Sequence, residues 1–279
     1  MTWIVVGIFL VALASIVAIR ARAFRRSVRQ RVRDVIEHSE RHGLDELAGA
    51  EVPEPIRRYL AAVCAHRARD TKAVEIEQRG TFWLTGRWQP FVATQVSTVR
   101  EPGFVWDAKI RMGPLLHVRV ADSYLAGEGG VDARLLGAIV VANDYGTRAM
   151  NCGSLSRYLA EAPFYPSALL PGRGVRWETS RPEEEGWARA TLSHQNNTVS
   201  LRFHVGDDDL IDTVEGLRYR ATDTGAEQTL WRGRFWDYGT SEDAEDGVWV
   251  PQQGEVAWVF AEGEQPYWRG RVERARDIR

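Results

Sequence analysis

From Ala73 to the carboxyl end the chain keeps returning to one pattern, in which apolar and polar residues alternate with a period of two. Phe104, Trp106, Ala108 and Ile110 alternate with Val105, Asp107, Lys109 and Arg111. Val199, Leu201, Phe203 and Val205 alternate with Ser200, Arg202 and His204, and Val256, Trp258 and Phe260 repeat the pattern. Residues 267–272 read as a further strand. Successive side chains of a strand point to opposite faces, so alternation marks a sheet with one face buried and one wet. Antiparallel sheets have that property, and no βαβ rhythm interrupts the pattern. Turn-forming runs separate the strands: Gly127-Glu128-Gly129-Gly130, Gln195-Asn196-Asn197 and Gly206-Asp207-Asp208-Asp209. The expectation is a mainly β (α+β) fold of roughly ten strands, a large curved antiparallel sheet or half-barrel with a few helices packed on it.

Two helical segments interrupt the strands. One starts at Pro53-Glu54-Pro55 and runs through Leu60, with proline suited to a first turn. The other is capped by Asn151 or Ser154 and covers residues 155–161. It stops at Pro163. The run from Phe164 to Leu170, bracketed by Pro163, Pro166 and Pro171, can be neither a central strand nor a continuing helix. It is expected to be a buried, ordered loop that serves as a lid.

The amino-terminal 49 residues obey a different rule. Residues 3–19 carry no charge, and at ~1.5 Å per residue they are just long enough to span a bilayer. Only Met1 and Thr2 precede this run, so the basic leader of a cleaved signal peptide is missing. Residues 1–33 hold no acid but seven arginines, Arg20, Arg22, Arg25, Arg26, Arg29, Arg31 and Arg33. The positive-inside rule puts that arginine flank and everything after it in the cytoplasm, the extracytoplasmic side being the alternative. Phe24, Val28, Val32, Val35 and Ile36 recur at helical spacing among the arginines. The stripe can lie on an anionic leaflet or pack on the domain. The expected layout is a transmembrane anchor over 1–19, a basic amphipathic juxtamembrane helix over 20–49 and the β domain over 50–279.

Composition excludes several classes. Forty-four per cent hydrophobic and 27% charged residues belong to a globular protein, and two cysteines, Cys64 and Cys152, cannot staple a secreted scaffold. A formal charge of −2 argues against nucleic acid as a partner. The abundance of arginine (34 of the 36 basic residues) reads as a coding bias rather than phosphate recognition. No phosphate-cradling, nucleophile-elbow, CxxC, HExxH or EF-hand spacing occurs, so no cofactor or metal is expected. His38 and His42 read as solvated, and Asp207, Asp208, Asp209 and Asp212 as a solvated turn.

The segments 52–60 (Val-Pro-Glu-Pro-Ile-Arg-Arg-Tyr-Leu), 103–108 (Gly-Phe-Val-Trp-Asp-Ala) and 153–161 (Gly-Ser-Leu-Ser-Arg-Tyr-Leu-Ala-Glu) form an ordered set of motifs. With 166–171 (Pro-Ser-Ala-Leu-Leu-Pro), 249–251 (Trp-Val-Pro) and 255–258 (Glu-Val-Ala-Trp), this set resembles a family of anchored bacterial proteins known as domain of unknown function number six-five-four-four. The resemblance covers about residues 50–275 and implies no activity. In this chain the stretch 237–246 is longer and more acidic than the family's pattern. In general layout the domain is also similar to lipoprotein carriers of the LolA/LolB type.

Chemistry, where the residues allow it, centres on Asp107, Asp122, Tyr124, Arg157 and Glu161. Arg157 and Glu161 share a helix face at i, i+4, and a helix plugging the sheet brings Asp107, Asp122 and Glu161 together as candidate acid–base groups. The other reading is an Arg–carboxylate network tying helix to sheet. Eleven tryptophans are a high share, enough to wall an apolar cavity as well as fill a core. The expected ligand contacts are Trp106, Tyr124, Arg157, Phe164, Tyr165, Leu169 and Leu170. Three functions stay open: a tethered module binding an apolar or lipid-like ligand, with membrane lipid as partner; an interaction protein without ligand; and an enzyme on a hydrophobic substrate.

Overall fold

The structure is a computed structural model that describes residues 2–42, 52–64, 71–170, 173–179, 184–223, 225–240 and 249–279. Side chains within the first helix are described from residue 9 onward, and at residue 6, up to residue 40. Thirteen strands form one sheet with the order β6-β5-β4-β3-β2-β1-β13-β12-β11-β10-β9-β8-β7. In chain order they are β1 (Ala73–Leu84), β2 (Arg87–Thr98), β3 (Phe104–Arg111), β4 (His117–Leu125), β5 (Glu128–Leu135), β6 (Ile139–Tyr145), β7 (Val175–Thr179), β8 (Trp187–His194), β9 (Asn197–Val205), β10 (Ile211–Thr222), β11 (Gly225–Gly239), β12 (Val250–Phe260) and β13 (Gly263–Ile278). Every pairing is antiparallel, so the period-two reading gave the right class. The first and last strands meet in the middle, β1 against β13, and two meanders run outward from that seam.

The sheet curls until its arms touch. Asn197, on the β8–β9 turn, donates from Nδ2 to the Gly127 carbonyl of the β4–β5 turn at 2.8 Å. His194 closes the same junction, with Nδ1 3.0 Å from the Tyr124 hydroxyl and Nε2 2.9 Å from the buried Glu101 carboxylate.

Three helices dress this half-barrel: α1 (Thr2–His42), α2 (Glu54–Cys64) and α3 (Arg148–Ala160). The apolar stripe of α1 packs on the outer face, where Phe24, Val28 and Val35 join Val105 and Ala121. Arg31 reaches the buried Asp132, Arg134 forks onto that carboxylate, and the Arg134 guanidinium lies over Phe24 at 4.8 Å. The domain therefore takes up the stripe. His38 is not solvated as expected: its Nε2 lies 3.4 Å from the Glu101 carboxylate. The His42 side chain lies outside the described residues. Among the described residues no helix is long and apolar enough to cross a membrane. The apolar run 3–19 lies partly outside the described side chains.

α2 buries Ile56, Tyr59, Leu60 and Val63 in the main core. α3 starts earlier than its apolar pattern indicated, because Thr147 is the cap, its Oγ1 accepting from the Met150 amide at 3.1 Å. Asn151 instead accepts from the Gly129 amide at 2.8 Å, which pins the helix to β5. After α3 come two short 3₁₀ turns, Ala162–Phe164 and Pro166–Leu169, almost wholly buried.

Candidate functional site

Between α3 and the inner face of the sheet lies a cavity of about 230 Å³. At ~30 Å³ per water this is room for roughly eight waters. Its walls are mainly aromatic and aliphatic, from Phe82, Trp106, Phe164, Trp231, Phe235 and Trp268. Strand parity explains the selection. Trp106 pairs with Asp122 across β3–β4, and Asp122 with Val131 across β4–β5, so all three face inward. A bulge between Val256 and Ala257 makes Tyr267 an extra residue opposite β12, so Tyr267 and Trp268 both line the cavity. Gly270 and Gly233 let the indoles lie flat. A Cβ at Gly270 would fall 2.1 Å from the Trp268 ring, and one at Gly233 would fall 2.7 Å from the Trp231 ring.

The polar end of the cavity is built on α3. Arg157 donates from Nε to Glu161 at 2.8 Å and from Nη1 to Asp122 at 2.5 Å. Gln95 donates to the second Glu161 oxygen at 2.8 Å. The Arg157 guanidinium stacks over Trp106 at 5.0 Å and Phe104 at 5.2 Å. Burial raises the Asp122 pKa, and the Arg157 charge only partly opposes it. Burial alone would lower the Arg157 pKa, but Glu161 and Asp122 more than reverse that, and the net direction is up. The geometry is an Arg–carboxylate bridge that holds α3 to the sheet at the cavity's edge.

The second arginine that lines the cavity is Arg218 of β10. Its guanidinium lies over the Trp231 ring at 4.6 Å and donates one long hydrogen bond, 3.3 Å, to the Gly153 carbonyl. Its Nε is buried with no hydrogen-bond partner. Burial lowers its pKa, the nearby Arg157 charge adds to that effect, and Tyr267, Glu161 and Asp122 work against it.

The cavity gathers Trp106, Asp122, Arg157, Glu161 and Phe164 from the residues singled out in the sequence. It does not gather Asp107. That residue alternates with Trp106 and faces outward, where it binds Arg119 at 2.6 Å. Tyr124 sits in the junction with His194 and Asn197, and burial pushes its pKa up to about 12. Tyr165 donates to the Tyr158 carbonyl inside the core. Leu169 and Leu170 pack in the main core and do not line the cavity, whereas Phe164 of the same segment does; Pro171 lies outside the described residues. Sequence reading missed Arg218, Trp231, Phe235 and Trp268 as a set. The available signal was Arg218 itself, which shares the inward parity of Val214 and Gly216. Among the described residues no group of three His, Cys, Asp or Glu could hold a metal ion.

Fold and site together define a curled antiparallel half-barrel whose concave side is plugged by a helix over an apolar, arginine-edged cavity. The chain belongs to the Family of unknown function (DUF6920), whose profile matches residues 50–276. Its number differs from the one the motifs implied. No curated protein matches the chain. Three solved structures are similar at low scores. One is a domain designated an outer membrane lipoprotein-sorting protein from Vibrio parahaemolyticus (9% identity, 78% of this chain and 90% of that one, TM-score 0.42). The others are a LolA superfamily protein from Nitrosomonas europaea (11%, 80% and 94%, 0.41) and a DUF1329 family protein from Desulfovibrio piger (11%, 81% and 94%, 0.41). Scores of this size carry no argument about function, so the cavity is read from its own residues.

Proposed function

We propose that this protein is a membrane-tethered module that binds an apolar, lipid-like ligand inside the half-barrel. The observation that carries this reading is the 230 Å³ cavity walled by Trp106, Phe164, Trp231, Phe235 and Trp268. A chain buried there leaves water at ~25 cal/mol per Å² of apolar surface, against walls already ordered by the sheet.

The tether rests on the uncharged run 3–19 and on where the helix leaves the domain. Ala21 abuts the β5–β6 turn at Gly137, where an added Cβ would lie 3.4 Å from it. Beyond that point Phe9, Leu10, Val11, Leu13, Ile16 and Ile19 are all exposed. At the same end of the sheet Leu115 is 88% exposed, and Leu116, Ile139, Val140 and Val141 are exposed as well. A bilayer around 3–19 would cover the helix and meet these residues, with Arg20, Arg22, Arg25, Arg26 and Arg29 at the head-group level. The location proposed is the inner membrane, with the domain on the cytoplasmic side.

The test is saturable binding of a fluorescent fatty-acyl probe, read by energy transfer from tryptophan, with Val256→Trp as the cavity-filling variant. Val256 lines the cavity and is not fully buried, so the variant is expected to stay folded and to lose at least tenfold in affinity. Absence of saturable uptake by folded protein, or uptake indifferent to Val256→Trp, returns the protein to the ligand-free interaction reading.

A further inference from the structure

Beside the cavity the sheet is split. β9 and β10 share ladder bonds only where residues 202–205 meet residues 211–215. Past that point β10 pairs with β11 alone as far as Thr222, and β9 pairs with β8 alone back to Asn197. The strands splay from Gly216 onward. A side chain at Gly216 would drive its Cβ to 2.6 Å from Leu201. The split is a cleft of about 670 Å³, backed by Cys152 and Ser156 of α3 and edged by Arg148, Arg189, Arg202 and Arg218. Glu215 is the one acid on this rim, and Arg202 and Arg232 both pair with it. Among the described residues Arg148 and Arg189 are in no ion pair.

Arg218 lines both the cleft and the inner cavity. Its charge stands at the boundary between a wet, arginine-rimmed mouth and an aromatic interior. The neighbouring carboxylates, Asp122 and Glu161, are bridged by Arg157 and act on Arg218 only through space, so its guanidinium has the Trp231 face, the Gly153 carbonyl and a buried, unpartnered Nε. A buried guanidinium whose hydrogen bonds are incomplete is costly until a partner completes them. A guanidinium is suited to a planar or tetrahedral oxyanion, which it can grip with two parallel donors.

We propose that Arg218 anchors the acidic head group of the ligand, so that the ligand is a single-chain anionic amphiphile with its tail in the aromatic cavity and its head in the β9–β10 split. The inference rests on the apolar-ligand reading above and goes further by fixing the ligand's charge and the side from which it is held. A neutral chain of equal length fills the same cavity but leaves Arg218 unpaired. A cationic one is repelled.

The test uses the full chain in lipid nanodiscs and tryptophan quenching by 6-bromohexanoate, 6-bromohexyl phosphate, 6-bromohexanol and a bromohexyl trimethylammonium salt, whose tails fit the 230 Å³ cavity. Both acids are expected to bind at least tenfold more tightly than the alcohol, and their order tells a carboxylate from a phosphate ligand. Arg218→Gln is expected to bring the acids down to the alcohol's affinity without changing the alcohol's, and Arg218→Lys to restore part of the difference. Because Arg218→Gln removes an incompletely paired buried charge, the ligand-free melting temperature is expected to hold or rise, which separates lost binding from lost folding. Equal binding of acid, alcohol and ammonium to the wild type, unaffected by Arg218→Gln, overturns the head-group inference and leaves the apolar-ligand reading standing. Failure of every amphiphile to bind overturns both.

Discussion

Asp122 shows how one side chain can be both paired and costly. It binds Arg157 at 2.5 Å, yet burial outweighs that partner and its carboxyl titrates above 3.8. The folded protein then holds this proton to higher pH than the unfolded chain does. Stability on this account falls as pH rises from 3.8 to the folded-state midpoint, and is level above it. Asp122→Asn is expected to remove that downward slope. Carboxyl carbon NMR on wild type, with the variant to assign the signal, checks the midpoint. A midpoint at or below 3.8 would show that the Arg157 charge outweighs burial. Asp107 and Asp122 also show what single residues disclose in the sequence. The parity that sets Trp106 against Asp107 already sends them to opposite faces, so the failure of Asp107 to reach the cavity was legible. The inward position of Asp122 was not, because it depends on the β3–β4 register, which local alternation leaves open.

At the scale of elements, strands were legible and their partners were not. Alternation located β3, β9 and β12 directly, and the roughly ten strands expected are thirteen. α3 was begun late because its first turn carries no apolar stripe, and only the Thr147 cap marks it. The segment after α3 was legible only in outline. Its prolines and apolar residues disclosed a buried run that is neither central strand nor continuing helix, but not the two 3₁₀ turns or the Tyr165 hydroxyl that donates to the Tyr158 carbonyl. The stripe of α1 was legible as a stripe, and its destination is the outer face at Val105 and Ala121. Val28, only 3% exposed there, is the position to test. Val28→Asp places a carboxylate against two apolar side chains and is expected to cost the docked helix ~2 kcal/mol or more. Trypsin cleavage at Arg25, Arg26 and Arg29 then accelerates about 30-fold if cleavage follows helix opening. Unchanged cleavage, with the β spectrum intact, would mean that the helix does not depend on this contact.

For the whole molecule, the central question is how a split half-barrel is held relative to the bilayer proposed to supply a ligand. α1 is continuous over 41 residues, about 60 Å of helix, and its second half is fastened to the sheet by Phe24, Val28, Val35 and the Arg31–Asp132–Arg134 cluster. α1 is therefore a stiff strut. Anchoring through residues 3–19 would fix the domain's orientation as well as its distance, and would raise the local concentration of a lipid-like ligand without any new contact. The side of the membrane depends on charge that the fold leaves available. Arg31 is committed to Asp132, but Arg20, Arg22, Arg25, Arg26 and Arg29 are all exposed, and no acid offsets them within residues 1–33. A cytoplasmic reporter fused after Arg279 is expected to be active and a periplasmic-type phosphatase fused there silent. Replacing these five arginines with glutamine spares the docking cluster and is expected to shift a measurable fraction of molecules to the opposite orientation. Phosphatase activity in the unmodified fusion would reverse the orientation. A fusion protein recovered in the soluble fraction would remove the tether, while the cavity and its Arg218 edge would still call for a ligand.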